Sequence, residues 1–507
     1  MVAKTKSIAL YGLIGIPVEI ETDISKGVDK LEIVGLPDTA VKESKERVRS
    51  AIKNTNGQFP YSTITVNLAP ADIKKEGAYL DLAIALSIVK AVNNRLVRDI
   101  DKTLFVGELS LEGKLRPISG ILPITVSAVK EGFKRIVLPV DNAKEASLVA
   151  GIEIIPVESL KHTIEYLCGA EIEPYKQTEY SEETKTDYVN DLKYVKGQFA
   201  VRRALEVAVS GGHNLLMVGT PGAGKTMLAK CIPSIIPDMS FEEALETTSI
   251  HSVAGLLDRS KGIVSERPFI TPHHTATNIA LVGGGVSLKP GLISMAHNGV
   301  LYLDELPEYK RQTLECLRQP LEDRVINVSR AKGTVKYPAN FMMVASMNPC
   351  PCGYYGSNIK ACKCTDTQIR KYHAKISGPL LDRIDIQVQV DNVEYDQLVS
   401  DTQAESSEVV RQRVKKARLI QQARFAGEGI SCNAQMKEKH LNEYCILDEE
   451  CQKVLKKSFV TLGMSARARS RILKVARTIA DLDYSENIQK KHLLEAISYR
   501  SYTLEEE

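Results

Sequence analysis

The sequence predicts an α/β protein: a phosphate-loop nucleotide-binding core, with an α/β domain before it and a helical domain after it. Three observations carry this. An apolar run, Leu215–Val218, leads into Gly219-Thr-Pro-Gly-Ala-Gly-Lys225-Thr226, and a helical run, Met227–Cys231, follows. Strand, glycine-rich loop and helix in that order are the context in which G-x-x-x-x-G-K-[ST] binds phosphate. Residues 1–168 alternate strand-like and helix-like periodicity, and residues 396–507 carry charged helical spacing.

The totals agree. A chain of 507 residues suggests about three domains, and 43% hydrophobic residues supply ordinary cores. The net charge is only +3, so any nucleic-acid surface must be local. No apolar run approaches the ~18 residues of a membrane span, and the first residues lack the apolar stretch of a secretory signal. Ten cysteines in so long a chain are not a disulfide framework. The expectation is a soluble cytoplasmic protein with no membrane partner.

Residues 1–168 read as one α/β domain. Ile14–Glu21 and Leu31–Val34 alternate as strands do, Thr39–Lys53 has helical spacing, and Ile64–Leu68 is a further strand. Leu80–Val92 is a buried helix; the strands Phe105–Glu108 and Ile136–Pro139 flank a helix at Leu122–Glu131. The stretches Gly107–Gly120 and Ala128–Pro139 resemble the proteolytic domain of Lon-type ATP-dependent proteases. In that family a serine follows an acidic-Gly-Pro triplet and a lysine follows Gly-Gly-Leu. The matching stretches here, Glu76-Gly-Ala-Tyr79 and Ser119-Gly-Ile-Leu122, put Tyr79 and Leu122 in those places. Neither can act as that nucleophile or base. The resemblance therefore implies a Lon-like domain that has lost proteolysis and serves as a scaffold or binding module. Lys74 and Lys75 beside it are a candidate nucleic-acid contact, or an ordinary solvated loop. Residues 169–190 are polar, acid-rich and aperiodic, and read as a linker.

Residues 191–395 carry the chemistry. Asp191–Gln198 precedes a strong helix, Phe199–Ser210; in many ATPases of this type such a segment packs beside adenine. Gly219, Thr220, Pro221, Gly222, Ala223 and Gly224 form a loop whose backbone N–H groups can curl around phosphate oxygens. Lys225 brings a point charge to the outer phosphates, and the Thr226 hydroxyl can ligate Mg²⁺. About eighty residues on, the apolar run Gly299–Leu303 ends in Asp304 and Glu305. Asp304 can hold the water shell of Mg²⁺, and Glu305 can polarise the attacking water. A third apolar strand, Phe341–Met347, ends in Asn348, which fits a sensor of the lytic water or γ-phosphate. Gly378-Pro-Leu-Leu-Asp-Arg383-Ile-Asp385 resembles the segment that gives an arginine finger to the next subunit in ring ATPases; a local salt bridge to Asp382 or Asp385 is the alternative.

Two insertions stand out. Arg267–His274 leads into a glycine-rich excursion through Gly283–Gly285, with His273 and His274 read as structural. Arg324–Ser329 and Thr334–Tyr337 flank Arg330-Ala-Lys-Gly333 and read as a hairpin with Arg330, Lys332 and Lys336 near its tip. In helicases related to the magnesium-chelatase branch such hairpins grip nucleic acid in a central pore; a charge-protected edge hairpin is the alternative. Directly after Asn348 come Cys350-Pro-Cys352 and Cys362-Lys-Cys364. Four thiolates in a turn-rich loop can close a structural Zn²⁺ site, although the one-residue spacers are tighter than usual.

In residues 396–507, Val409–Phe425 carries Arg411, Arg413, Lys415, Lys416, Arg418 and Arg424, a solvated helix or a nucleic-acid contact. Met464–Asp481 opens a basic amphipathic helix, where Arg467 fits a second sensor touching the γ-phosphate and Arg471 is its rival.

The strings Arg267-Pro-Phe-Ile-Thr-Pro-His-His-Thr, Met347-Asn-Pro-Cys-Pro-Cys-Gly and Ser377-Gly-Pro-Leu-Leu-Asp-Arg-Ile-Asp, with the loop and lid, span almost the whole chain. Together they resemble the magnesium-chelatase-like competence family, called ComM or YifB. The resemblance implies a Lon-like N-terminal domain, an AAA+ P-loop core and a helical lid. It further implies ATP and Mg²⁺ as cofactors, a homohexamer, and single-stranded or branched DNA as partner. The function implied is ATP-driven branch migration in homologous recombination. A chelatase-type motor that remodels a protein partner for metal insertion is the second reading, and an ATP-dependent protease, against Tyr79 and Leu122, the third.

Overall fold

In a computed structural model of the chain, the residues described are 2–55, 59–92, 96, 98–180, 188–285, 288–330, 333–358, 360–393, 404–461 and 464–500. The chain begins with a strand that sequence periodicity passed over, Ala3–Tyr11. Its inward side chains include hydroxyls: Thr5 Oγ1 donates to Ala83 O (2.9 Å) and Ser7 Oγ to Phe105 O (2.8 Å). Such partners satisfy buried polar groups but blur the apolar alternation by which a strand is recognised. The strand pairs antiparallel with Ile14–Ser25 across a turn at Gly12, in a sheet ordered Ala3–Tyr11, Ile14–Ser25, Thr63–Ala69, Lys30–Val34. Helix Asp81–Val92, buried from Asp81 through Ile88, packs on it. A second sheet of three parallel strands, Thr103–Phe105, Arg135–Pro139 and Glu153–Val157, completes this domain with helices Ile121–Lys130, Val140–Ala146 and Leu160–Leu167. Lys75 is buried here, its ammonium donating to Pro70 O, and Lys74 pairs with Glu76 at 3.2 Å. Of the two lysines read as a solvated loop or a candidate nucleic-acid contact, only the ion-paired Lys74 therefore reaches the surface.

The central sheet is parallel throughout. Its order is Phe269–Ile270, Val300–Leu303, Met342–Met347, Leu215–Gly219, Ile386–Val390. The phosphate-loop strand Leu215–Gly219 is buried at every position, as expected for a parallel strand covered on both faces. Helix Phe199–Gly211 packs on one side.

Helix Ser407–Arg424 of the C-terminal part is fixed to the core by its arginines. Arg411 pairs with Asp238, Arg413 with Glu206 and Glu405, and Arg424 with Asp481, while Arg418 donates to Val209 O at 3.0 Å. These four charges are spent inside the molecule; Lys416 stays exposed. Helices Ala466–Leu482 and Lys490–Ser498 complete the bundle.

The N-terminal domain docks on helix Phe241–Ala254 of the core. Ser252 Oγ there accepts from Gly120 N (2.9 Å) and donates to the Glu145 carboxylate, which also accepts from Leu122 N at 3.0 Å. Tyr180, in the linker, donates to Met239 O at 3.1 Å and its ring lies 5.4 Å from that of Phe241. Burial pushes the Glu145 carboxyl up to about 7, against the two hydrogen bonds. A carboxyl with a raised folded pKa keeps its proton where the unfolded chain has lost it, so stability falls as pH climbs from about 4.5 to about 7. At about 1.4 kcal/mol per unit the loss is at most about 3.5 kcal/mol. Glu145→Gln keeps an oxygen for both donors and cannot ionise. Thermal unfolding is expected to show the variant several degrees more stable than the parent at pH 8 and level with it at pH 5.

Candidate active site

The loop Gly219–Thr226 leaves the central sheet at its carboxyl end. Gly222 and Gly224 adopt φ of 80° and 89°, the left-handed backbone that lets the chain curl. Lys225 Nζ lies within this curl, donating to Gly219 O (2.6 Å), Thr220 O (2.9 Å) and Asn348 Oδ1 (3.0 Å). Burial lowers its pKa and the carboxylates of Asp304 and Glu305 oppose that shift. Strand register explains why Asn348 arrives: Val218 pairs with Met347, so the two chains leave the sheet side by side.

Register also sets the carboxylate. Leu303 pairs with Ala345, which brings Asp304 beside Ser346. Ser346 Oγ donates to Asp304 Oδ1, and Tyr302 Oη donates to Ser346 Oγ at 3.1 Å. Burial raises the Tyr302 phenol to about 12, so it stays protonated. With Oδ1 so held, Asp304 Oδ2 faces Thr226 Oγ1 at 3.0 Å. Two hard oxygen donors at a phosphate loop suit Mg²⁺. Ser346 and Tyr302 were not singled out from sequence; the signal was a serine inside an otherwise apolar strand, two residues before Asn348.

Glu305 sits at φ 53°, a left-handed conformation that costs a non-glycine residue about 1 kcal/mol. Its side chain is 59% exposed, and His274 Nδ1 lies 3.9 Å from its carboxylate. The excursion after Arg267 thus brings a histidine to the predicted water-polarising residue. His273 instead turns to Thr275 Oγ1 at 2.8 Å.

Arg383 and Arg467 lie elsewhere. Leu215 pairs with Ile386 and Gly219 with Val390, so the chain before Ile386 is at the amino end of the sheet. Five strand residues, about 16 Å, separate that end from the phosphate loop. Arg383 is buried and turned into its own chain, pairing with Glu322 and donating to Pro379 O (2.7 Å) and Arg318 O (3.0 Å). The local partner is thus Glu322 rather than Asp382 or Asp385. Arg467 is 66% exposed, 4.0 Å from Asp382. In this structure Arg467 stands toward the amino end of the sheet, away from the phosphate loop of its own chain. Arg471 pairs with the buried Asp385, which also receives Asn214 N at 3.0 Å. Burial pushes the Asp385 carboxyl up, but Arg471 and His213 together hold it far below the usual range. Arg383, Arg467 and Arg471 line a cleft of about 870 Å³ together with Glu322 and Asp382.

The four cysteines converge. Their Sγ atoms all lie within 4.8 Å of one another, with Cys350–Cys352 at 3.4 Å, Cys352–Cys362 at 3.6 Å and Cys350–Cys362 at 3.7 Å. A tetrahedron with Zn–S of about 2.3 Å has edges of about 3.8 Å, so the donor set fits the ion despite its short spacers. The hairpin forms from Val325–Arg330 and Gly333–Pro338. Ile326, Val328, Val335 and Tyr337 point inward and Lys336 outward. The Arg330 side chain and Lys332 lie outside the described residues. No helix among the described residues is long and apolar enough to cross a membrane.

Comparison with known proteins agrees with this geometry. Residues 191–398 match the family described as magnesium chelatase, subunit ChlI; residues 20–142 match subunit ChlI of Mg-chelatase, and residues 404–500 its C-terminal part. The chain is 42% identical over 496 residues to "Uncharacterized protein YifB" of Escherichia coli (strain K12), covering 97% of this chain and 96% of that one. It is 41% identical over 491 residues to "Competence protein ComM" of Haemophilus influenzae, covering 96% and 94%. The Lon protease of Azospirillum brasilense matches at 26% over 192 residues, 35% of this chain and 23% of that one. A P-loop core that implies ATP and Mg²⁺, Lon-like homology, and relatives matched along nearly their whole length place the chain in the magnesium-chelatase-like ComM/YifB family of AAA+ ATPases.

Proposed function

We propose that this chain is an ATP-driven, hexameric DNA translocase that promotes branch migration in homologous recombination, as in natural transformation. One observation carries the reading: the phosphate loop and the arginines that would complete a hydrolytic site stand at opposite ends of one sheet. A chain so built can meet its own need only through copies of itself. In a ring, Arg383 and Arg467 of one subunit approach the nucleotide on the loop of the next, Arg383 exchanging Glu322 for phosphate. The name of the Haemophilus influenzae relative, a competence protein, supports DNA as the partner. So does the outward lysine of the hairpin, Lys336, with Arg330 and Lys332 beside it in sequence.

Within the site, Gly219–Gly224 and Lys225 bind the phosphates of ATP. Thr226 and Asp304 would hold Mg²⁺, which neutralises phosphate charge when bound. Glu305 orients the lytic water, with His274 close enough to influence its charge, and Asn348 reports the γ-phosphate through Lys225. The cysteine cluster holds a structural Zn²⁺. The N-terminal domain, with Tyr79 and Leu122 in the places of the protease pair, does not cleave peptides. The chain acts in the cytoplasm.

ATP hydrolysis measured with and without single-stranded DNA tests the partner. Severalfold stimulation is expected; no stimulation, with no DNA binding at low salt, would remove the translocase and leave the chelatase-type motor. Lys336→Ala should weaken DNA binding alike for all sequences and reduce its salt slope by about one.

Glu305→Gln is expected to bind ATP with near-parental affinity while turnover falls at least about a hundredfold. Retained hydrolysis would take Glu305 out of its role.

Arg467→Ala should leave the melting temperature unchanged and cost at least about tenfold in ATPase rate. Arg471→Ala strands the buried Asp385 and should destabilise by about 3–5 kcal/mol. Mixing inactive Arg467→Ala chains with inactive Lys225→Ala chains should restore part of the activity, because some interfaces then combine an intact loop with an intact arginine. No restoration at any ratio would argue for sites complete within one chain.

A further inference from the structure

The cysteine cluster is tied to the nucleotide site at several points, and the contacts assign it a task. The loop that carries it begins directly after Asn348, whose amide accepts from Lys225 Nζ at 3.0 Å. It ends in helix Asp366–His373, which returns to the loop's first residues: His373 Nε2 is 2.8 Å from Pro349 O. Both ends are thus pinned beside the sensor. Between them, Gly353, one residue after Cys352, has φ 85°, and a Cβ built there would lie 2.6 Å from Cγ and Cδ of Pro221 in the phosphate loop. The loop therefore rests on Pro221 at a distance only glycine permits. A cavity of about 620 Å³ opens beside this contact, walled by Gly219 and Thr220 on one side and Pro349 and Tyr355 on the other.

We infer that the four-cysteine site, when it holds Zn²⁺, is a clamp on the nucleotide site, fixing Asn348 and Pro221 so that the phosphate loop keeps its binding shape. This rests on the zinc reading given above. The physical reason is conformational entropy. The segment from Cys350 to Cys364 has no helix or strand of its own among the described residues. A metal joining four of its side chains removes most of its freedom, as structural zinc does in small domains. Without that bond the segment samples many shapes, and the Gly353–Pro221 and Asn348–Lys225 contacts are populated only part of the time. A nucleotide then pays the ordering cost on binding. The partition is between two flanks of one loop: Pro221 on the outside of the curl and Lys225 on the inside.

The test uses the full-length protein, purified without chelator, with Mg²⁺ in excess and no DNA. Zinc is measured by release to a chromogenic chelator after thiol modification. Nucleotide affinity is followed with a fluorescent ADP analogue. About one zinc per chain is expected. Removing it with a zinc-selective chelator should weaken nucleotide affinity at least fivefold, and adding Zn²⁺ back should restore it. Gly353→Ala should keep its zinc and lose nucleotide affinity by a similar factor, because the added methyl pushes on Pro221 directly. Protein that holds no zinc and takes up none overturns the metal reading itself. Zinc that is present, and removable with no change in nucleotide affinity, overturns the clamp and leaves the metal site standing. A Gly353→Ala variant that keeps both zinc and parental affinity overturns Pro221 as the route. A parallel thermal melt distinguishes local loosening from global unfolding: the clamp predicts the affinity loss at temperatures where the folded signal is intact.

Discussion

The parallel pairing of Leu215–Gly219 with a strand on either side is the constraint on which the rest depends. In a parallel pair every residue has a fixed neighbour, and one register decides what leaves the sheet beside what. On one side the pairing of Val218 with Met347 delivers Asn348 to Lys225. On the other, the pairing of Gly219 with Val390 puts Asn392 within reach of the loop, where its Oδ1 accepts from Thr220 Oγ1 at 2.9 Å. A slip by one residue would turn each of these side chains to the other face. The strand register thus decides which side chains stand beside the loop, Asn348 on one flank and Asn392 on the other.

The same strands have an amino end, and it is held by charge. His213, Asn214, Asp385 and Arg471 meet there with little access to water. Asn214 ties its own strand to the segments on either side: its N–H donates to Asp385, its side-chain amide donates to Arg383 O (2.8 Å), and its Oδ1 accepts from Met343 N (2.9 Å). Burial keeps His213 neutral, lowering its pKa against the pull of Asp385, and its Nε2 meets Thr478 Oγ1 of the lid helix at 2.7 Å. A buried ion pair contributes little net stability but makes the wrong arrangement expensive. Here it fixes where the lid helix sits, and with it where Arg467 points. The stretch of the lid helix that carries Arg467 and Arg471 is thus held at the end of the sheet opposite the phosphate loop.

Much of this was legible in sequence because it is local. The phosphate loop, the acids after Val300–Leu303 and Asn348 each follow an apolar strand, and short-range pattern is enough to find them. What was not legible depends on distant pairings. Which end of the sheet Arg467 occupies is set by contacts between residues 214 and 385 and between 385 and 471, and no spacing reveals them. The same holds for the arginines of Ser407–Arg424, whose spacing left a solvated helix and a nucleic-acid contact both open and did not reveal Asp238, Glu206 and Asp481 as their partners. Ala3–Tyr11 escaped for a different reason: its buried side carries Thr5 and Ser7, whose burial is justified only by acceptors 78 and 98 residues away in the chain.

In the N-terminal domain two tyrosines link a helix, a strand and the basic hairpin of the core. Tyr79, which the Lon resemblance would put in the place of the protease nucleophile, is half-buried, and desolvation raises its phenol to about 12. Its Oη accepts from Leu10 N at 2.9 Å, holding the end of the strand Ala3–Tyr11. The next residue, Tyr11, reaches the basic hairpin: its Oη is 3.4 Å from Thr334 O, and a Cβ on Gly333 would lie 2.0 Å from it. Across the turn, a Cβ on Gly12 would lie 2.2 Å from Val335 Cγ1. A two-stranded hairpin alone is marginal in water, and this one is seated against the neighbouring domain through two glycines that permit no side chain. A serine at position 79 would be too short to span from helix to strand in this way. Tyr79 therefore holds the strand that holds the hairpin, and this contact joins the one at Ser252 in docking the domain on the core.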